Sequence, residues 1–142
     1  MTSLISPPLS KWMTRHGVLV WLGIVLNLFF AVPLIFDPAW ILGLFNVPPD
    51  ESLWPRFAGL LVLIVTIFYI PPAMDVRRHR ASAWIAVFPS RTLGAAFFFL
   101  AVFVFGQAPG FLIGVVLDGG IGLATLFCLI KITAIERAQG LA

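Results

Sequence analysis

Four long apolar runs, separated by short polar stretches, dominate the pattern of hydrophobic and polar positions along the chain. Each run contains at least the roughly 18 residues that a helix needs to cross the hydrocarbon core of a bilayer. The pattern therefore predicts an all-α membrane protein, a single domain built as an up-down bundle of four transmembrane helices. The predicted spans are approximately residues 17–36, 54–71, 82–105 and 111–132 of a chain of 142 residues.

The connection between the first two runs contains a shorter apolar segment. Asp37 followed by Pro38 is a suitable N-cap and first helical position. Residues 39–45 are apolar but too few to span, so they predict a short helix in the first outer loop, lying in the membrane interface. A lid over the end of the bundle and a gate over a lateral opening are both compatible with this segment.

Two charged residues, Arg91 and Asp118, interrupt the third and fourth runs. A charged side chain at the bilayer centre costs roughly 2.5 to 3.5 kcal/mol on insertion scales, so such residues usually face a bundle interior and have a partner. Counted from opposite ends of their runs, both lie roughly 12 to 13 Å deep at 1.5 Å per residue. We therefore predict a buried ion pair between neighbouring antiparallel helices. It has either a structural role or a role as a site for a proton, an ion or an anionic ligand.

Asn27 is the polar residue near the middle of the first run. It shares one helical face with Gly23 and Ala31, at successive four-residue steps. Its amide is predicted either to form a hydrogen bond between helices or to join Arg91 and Asp118 as a third member of their site.

Small residues and a proline predict how the last two helices pack. In the fourth run, Gly110, Gly114, Asp118 and Gly122 recur at four-residue steps, a stripe that allows another helix to approach closely. The stripe places the aspartate on a packed face rather than toward lipid. In the third run, Pro89 predicts a kink that frees backbone groups near the arginine.

The composition is that of a membrane protein rather than a soluble one. Hydrophobic residues make up 61% and charged residues 11% of the chain, against about 25% charged residues in soluble domains. The mean hydropathy is +1.05. A net charge of +3 would suggest nucleic acid in a soluble protein. Here the basic residues lie beside apolar runs, which points to anionic lipid headgroups, and no basic groove or stacking platform for nucleic acid is visible.

The basic residues predict the orientation. Seven of the nine lie on one side of the predicted bundle: Lys11, Arg15, Arg77, Arg78, Arg80, Lys131 and Arg137. The positive-inside rule therefore places both termini and the loop around residues 77–80 in the cytoplasm. Arg77, Arg78 and Arg80 are predicted to contact lipid headgroups, and Asp75 to pair with one of these arginines.

Arg56 lies at the opposite edge of the bundle, two residues inside the second run. It is predicted either to reach the outer headgroups with its long side chain or to pair with Asp50 or Glu51 in the preceding loop. Tyr69, at the other end of this run, is predicted to be an interfacial belt residue, and the prolines at 71 and 72 to end the helix.

The residues needed for most cofactor and metal chemistry are missing. The single cysteine, Cys128, excludes an internal disulfide and a cysteine-based metal cluster. The two histidines, His16 and His79, lie outside the predicted spans, so two helices cannot hold a haem between them. No catalytic residue, metal site or cofactor is predicted. The alternative to having no cofactor is that the chain binds a quinone or another lipophilic molecule.

Several short motifs between residues 37 and 125 carry a resemblance to a known group. They are Leu44-Phe45-Asn46-Val47-Pro48-Pro49, Trp54-Pro55-Arg56-x-x-Gly59, Tyr69 with Asp75, Arg91-x-x-Gly94, and Asp118. In these features the chain resembles the small four-helix bacterial inner-membrane proteins grouped as DoxX-like or as domains of unknown function. The resemblance implies a four-helix architecture and a location in the inner membrane of a bacterium. It also implies a place beside a redox or energy-converting complex, because DoxX-like proteins are associated with quinone-linked oxidation of sulfur compounds. It transfers no catalytic residue.

The function expected from the sequence is non-enzymatic. The chain is predicted to be a small structural or accessory membrane subunit that packs against other membrane protein subunits or against itself, with its phenylalanine-rich surface and glycine stripes in the contacts. One alternative is a subunit that handles a quinone or another lipophilic ligand, with Arg91, Asp118 and Asn27 contacting the polar head. A second is a small proton-coupled transporter that uses the same three residues.

Overall fold

All regular structure in residues 6–48 and 53–141, the part of the chain that the computed structural model describes, is helical. The described residues form six α-helices: α1 (Pro7–Phe36), α2 (Pro38–Leu44), α3 (Trp54–Met74), α4 (Arg80–Ile85), α5 (Thr92–Phe103) and α6 (Leu112–Ala138). A kinked segment with π-helical hydrogen bonding, Ala86–Arg91, joins α4 to α5 and is called the π-helical segment below. A short 3-10 turn, Pro109–Phe111, precedes α6.

Within the described residues, four helical stretches are long and apolar enough to cross a membrane. They are Pro7–Phe36, Trp54–Met74, Arg80–Phe103 and Pro109–Ala138. Each corresponds to one of the predicted apolar runs. The first stretch begins at Pro7, ten positions before its predicted start at residue 17, and the last continues to Ala138, beyond its predicted end at residue 132. The fold is therefore that of an all-helical chain with four potential membrane spans.

α3 does not end at its two prolines, contrary to the sequence-based expectation. It continues through Pro71 and Pro72 to Met74. A proline has no amide hydrogen to donate and its ring crowds the carbonyl four residues earlier, but its own carbonyl can still accept: that of Pro71 accepts a hydrogen bond from the backbone N–H of Asp75 at 3.0 Å. Because these prolines lie in the last turn, the helix loses little by including them.

The third apolar stretch is broken in its first half, where Pro89 predicted a kink. Phe88 has an extended backbone, with φ −131° and ψ 117°, inside the π-helical segment. The peptide bond between Phe88 and Pro89 is cis. The carbonyl of Val87 accepts the hydroxyl of Thr92 at 2.9 Å and also the backbone N–H of Thr92, so this carbonyl is bonded across the break.

Small residues allow the long helices to approach closely. α1 packs against α3 and α6, and α5 packs against α6. A Cβ atom at Gly59 of α3 would lie 2.8 Å from the Cβ of Leu34 and 2.9 Å from the carbonyl oxygen of Ala31 in α1. Gly114 of α6 faces the ring of Phe98 in α5 in the same way. The glycine stripe of the fourth run is therefore used inside the chain rather than on its outer surface.

One end of the molecule contains a buried apolar cluster. Its members come from the beginning of α1, the connection after α3, α4 with the π-helical segment, and the second half of α6: Leu9, Val76, Ala83, Val87, Leu129 and Ile132. At the same end, the amide of Gln139 donates to the hydroxyl of Ser6 at 2.6 Å. The start and the end of the described chain therefore meet.

The short segment after α1 forms a helix, α2, with the predicted cap. The carboxylate of Asp37 accepts a hydrogen bond from the backbone N–H of Trp40 at 3.2 Å. Ile41 is buried, whereas Trp40 and Leu44 are exposed. The helix therefore turns one side toward the protein and leaves apolar side chains on the other.

Candidate functional site

The structure brings Arg91 and Asp118 together. Nη1 of Arg91 donates to Oδ1 of Asp118 at 2.8 Å. Arg91 ends the π-helical segment and Asp118 lies in the first half of α6. The arginine side chain is 5% exposed and the aspartate side chain 26%. The cation is therefore enclosed by protein, while one side of the carboxylate reaches the surface.

Three glycines from three different helices make room for this ion pair. A Cβ at Gly23 of α1 would collide with the guanidinium of Arg91, and its distance to Cζ would be 3.2 Å. A Cβ at Gly94 of α5 would lie 2.6 Å from Oδ2 of Asp118, and one at Gly122 of α6 would lie 3.3 Å from the Cβ of Arg91. The helix interfaces are thus shaped around the two charged side chains.

Tyr69 is a further member of the site that the sequence did not predict. It is buried rather than placed at an interfacial belt, and its ring centroid lies 5.1 Å from Cζ of Arg91. Its hydroxyl is 2.5 Å from the hydroxyl of Ser90. A cation held over an aromatic face is stabilised electrostatically, and more strongly where water is excluded. The aromatic ring therefore provides the arginine with a second interaction besides the carboxylate.

A cavity of about 10 Å³ lies beside the ion pair. His16, Tyr69, Arg91 and Thr125 contribute polar groups to its lining. A volume of this size holds about one water molecule, far less than the head of a quinone requires. Two buried polar atoms among the described residues, Nδ1 of His16 and Nη2 of Arg91, lack a hydrogen-bond partner. The site can therefore bind little more than a proton or a water molecule in this arrangement.

Asn27 does not join the pair. Its side chain is half-buried and forms no hydrogen bond with any residue in the described parts of the chain. Gly23, one helical turn earlier on the same face of α1, is the residue that faces Arg91. The face of α1 that contains Asn27 therefore does lie against Arg91, but through Gly23 rather than through the asparagine.

A second polar cluster lies where α3 and α4 are connected. The carboxylate of Glu136, a residue that is 1% exposed, forms ion pairs with Nε of Arg77 at 2.9 Å and with Nη2 of Arg80. Asp75 forms no ion pair with a described residue, contrary to expectation. Its carboxylate instead accepts the backbone N–H groups of Arg77 and Arg78, both at 3.0 Å. A short aspartate side chain reaches its own following amides more easily than a distant guanidinium.

Arg56 contacts the end of the preceding long helix. It donates to the carbonyl oxygens of Ile35 and Phe36, the latter at 3.3 Å. The last carbonyls of a helix have no partner within the helix, so an arginine there acts as a C-terminal cap. The predicted partners Asp50 and Glu51 lie outside the described residues.

Nothing in residues 6–48 and 53–141 resembles a metal centre, because no three His, Cys, Asp or Glu side chains come together there. Cys128 is buried and 3% exposed.

Comparison of the chain with protein-family models, with curated proteins and with solved structures finds no match.

Proposed function

We propose that this chain is a small integral membrane protein with a structural or accessory role, which packs in the bilayer with a larger complex or with itself. One observation carries the proposal: the intramembrane ion pair is completed within the chain. Arg91 is matched by Asp118 and Tyr69, and the cavity beside Arg91 has space for about one water molecule. A pair closed in this way stabilises helix packing and presents no pocket of ligand size.

The membrane arrangement is part of the proposal. The four apolar stretches cross the inner membrane of a bacterium as an up-down bundle, with both termini and residues 77–80 in the cytoplasm and α2 at the outer interface. The contacts of Ser6 with Gln139, and of Arg77 with Glu136, support it because they gather the basic segments at one end. A relationship to DoxX-like proteins, and hence to a redox or energy-converting complex, is proposed on the motifs alone.

The outward surface supports a role in intramembrane contacts. Large aromatic side chains of α5 and the following loop are exposed: Phe97 60%, Phe99 48%, Phe103 63% and Phe105 60%. Exposed apolar patches of this kind on a membrane protein contact acyl chains or neighbouring subunits. A partner helix would bury this surface.

The test is a double-mutant cycle on the ion pair. Arg91→Met and Asp118→Leu are each expected to destabilise the protein by about 3 to 5 kcal/mol, because each leaves one buried charge unpaired. The double variant is expected to recover much of this loss and to co-purify with the same membrane proteins in mild detergent. If the double variant is as stable as the wild type but loses a bound small molecule, the accessory role is wrong and the ligand-handling alternative is right.

A proton-coupled carrier is a second candidate, favoured by one observation. The carboxylate of Asp118 is partly exposed, and Nη2 of Arg91 has no hydrogen-bond acceptor among the described residues. A carboxylate in the middle of an apolar span exchanges a proton only where water reaches it, so this candidate requires a water path to the exposed side of Asp118. Proteoliposomes containing the Asp118→Asn variant would then lose a proton flux that the wild type supports. Equal flux in both would exclude this candidate.

A further inference from the structure

A cleft of about 740 Å³ lies at the end of the molecule where α3 and α4 are connected. Arg77, Arg78 and Arg80 line it, and Met13 of α1 and Met74 of α3 add apolar surface. Its volume lies within the roughly 300 to 1,000 Å³ typical of small-molecule sites. The lining of the cleft therefore combines cationic and apolar side chains.

Glu136 at the base of this cleft holds two of the three arginines. Its buried carboxylate contacts Nε of Arg77 and Nη2 of Arg80. Each guanidinium has five N–H groups, so both retain donors after these contacts. Arg78 forms no ion pair with a described residue and keeps all its side-chain donors. The carboxylate of Glu136 thus holds two guanidinium groups in place, and these groups still have N–H donors available for a ligand.

We propose that the cleft binds the phosphodiester headgroup of an anionic phospholipid. The donors that remain on Arg77, Arg78 and Arg80 contact the phosphate oxygens, and the methionine side chains contact the glycerol and the first acyl carbons. Guanidinium groups match phosphate oxygens in charge and in geometry. The choice of a lipid over free phosphate rests on the proposed membrane placement, because α3 ends and α4 begins at this cleft.

The local charge balance distinguishes a built site from general attraction to an anionic surface. The charged residues that line the cleft are the three arginines and the carboxylates of Glu136 and Asp75, so their formal charges sum to +1. General attraction grows with positive charge, so Glu136→Gln should strengthen it. In a built site the same variant releases Arg77 and Arg80 from their fixed positions and should weaken binding.

The experiment uses the full chain in detergent and short-chain phosphatidylglycerol as the probe, with short-chain phosphatidylcholine and inorganic phosphate for comparison. Arg78→Gln and Glu136→Gln are each expected to weaken phosphatidylglycerol binding about tenfold, the effect of one charge-assisted hydrogen bond. Arg137→Gln is the matched control, because it removes one positive charge from an exposed residue beside Glu136 and should leave binding unchanged.

Each other outcome has a defined meaning. Tighter binding by Glu136→Gln, equal losses in Arg78→Gln and Arg137→Gln, or equal affinity for phosphatidylcholine would overturn the proposal. Displacement of the lipid by inorganic phosphate at a similar concentration would show that the ligand is free phosphate, and would overturn the choice of a lipid. If Glu136→Gln fails to fold, the comparison of Arg78→Gln with Arg137→Gln decides, since both side chains lie outside the ion pairs. None of these results depends on the accessory role, which the Arg91 and Asp118 variants test separately.

Discussion

Gly94 stands so close to Asp118 that a Cβ atom at position 94 would lie 2.6 Å from Oδ2 of the carboxylate. Such a distance is shorter than van der Waals contact, so any side chain there must displace the aspartate or separate α5 from α6. The glycine is needed because of the charged group opposite it, and not because of its own backbone conformation.

Gly94→Ala is therefore expected to destabilise the protein by roughly 1 to 3 kcal/mol, because the added methyl group overpacks the interface. Gly120→Ala is the matched control: it lies in α6 with open space around its Cβ position. Alanine favours a helix over glycine by about 1 kcal/mol, so the control should be neutral or stabilising. Thermal unfolding of both variants in detergent measures the difference, and equal midpoints would contradict the close approach.

Tyr69 offers a second prediction, in which two interactions are removed one after the other. Tyr69→Phe keeps the ring over Arg91 but loses the hydroxyl contact with Ser90, which should cost about 1 kcal/mol. Tyr69→Leu also removes the aromatic face and should cost roughly a further 0.5 to 2 kcal/mol. Unfolding midpoints in the same detergent test the order. In the Arg91→Met background the difference between Phe and Leu should shrink, and an unchanged difference would mean that the cation–π contact contributes nothing.

Arg56 is expected to stabilise the end of α1. Arg56→Gln would weaken the contacts with the carbonyls of Ile35 and Phe36 and should lower stability by about 1 kcal/mol. Arg78→Gln removes the same charge from a side chain with no helix carbonyl as a partner and should have little effect on unfolding. Hydrogen exchange at the end of α1 should rise only in the Arg56 variant. A rise in both variants would indicate a general charge effect.

Cysteine labelling tests the proposed orientation. Cys128 is buried, and Cys128→Ala provides a background free of native thiols. In that background, Gln107→Cys and Ala81→Cys place single thiols at exposed positions, one between α5 and α6 and one at the start of α4. A membrane-impermeant maleimide should label the first in intact cells and the second only after permeabilisation. The opposite result would reverse the orientation and leave the fold intact.

The helices and the central charge pair could be predicted because each depends on a local rule. An apolar run of bilayer length has few alternatives to a helix, and two opposite charges at similar depths have strong reasons to meet. The break near Arg91 lies where Pro89 predicted a kink, although a proline does not always break a helix, since α3 continues through Pro71 and Pro72.

The second cluster could not be predicted, because no local rule pairs Glu136 with Arg77 or Arg80. The glutamate lies in a tail of mixed charge, and which arginine it meets depends on how α6 packs against the loop after α3. The position of Tyr69 beside Arg91 could not be predicted for the same reason. A tyrosine near the end of an apolar run fits an interfacial belt, and only the position of Arg91 shows that its ring lies inside. Contacts of this kind are set by packing between elements far apart in the chain.

The three glycines around the ion pair also fix the axial register of α1, α5 and α6. Moving α6 by a single residue, about 1.5 Å along and 100° around its axis, would take Gly122 away from Arg91 and bring a branched neighbour toward it. We therefore expect the three helices to resist sliding along one another. Bending of the bundle is expected instead at the irregular backbone around Phe88.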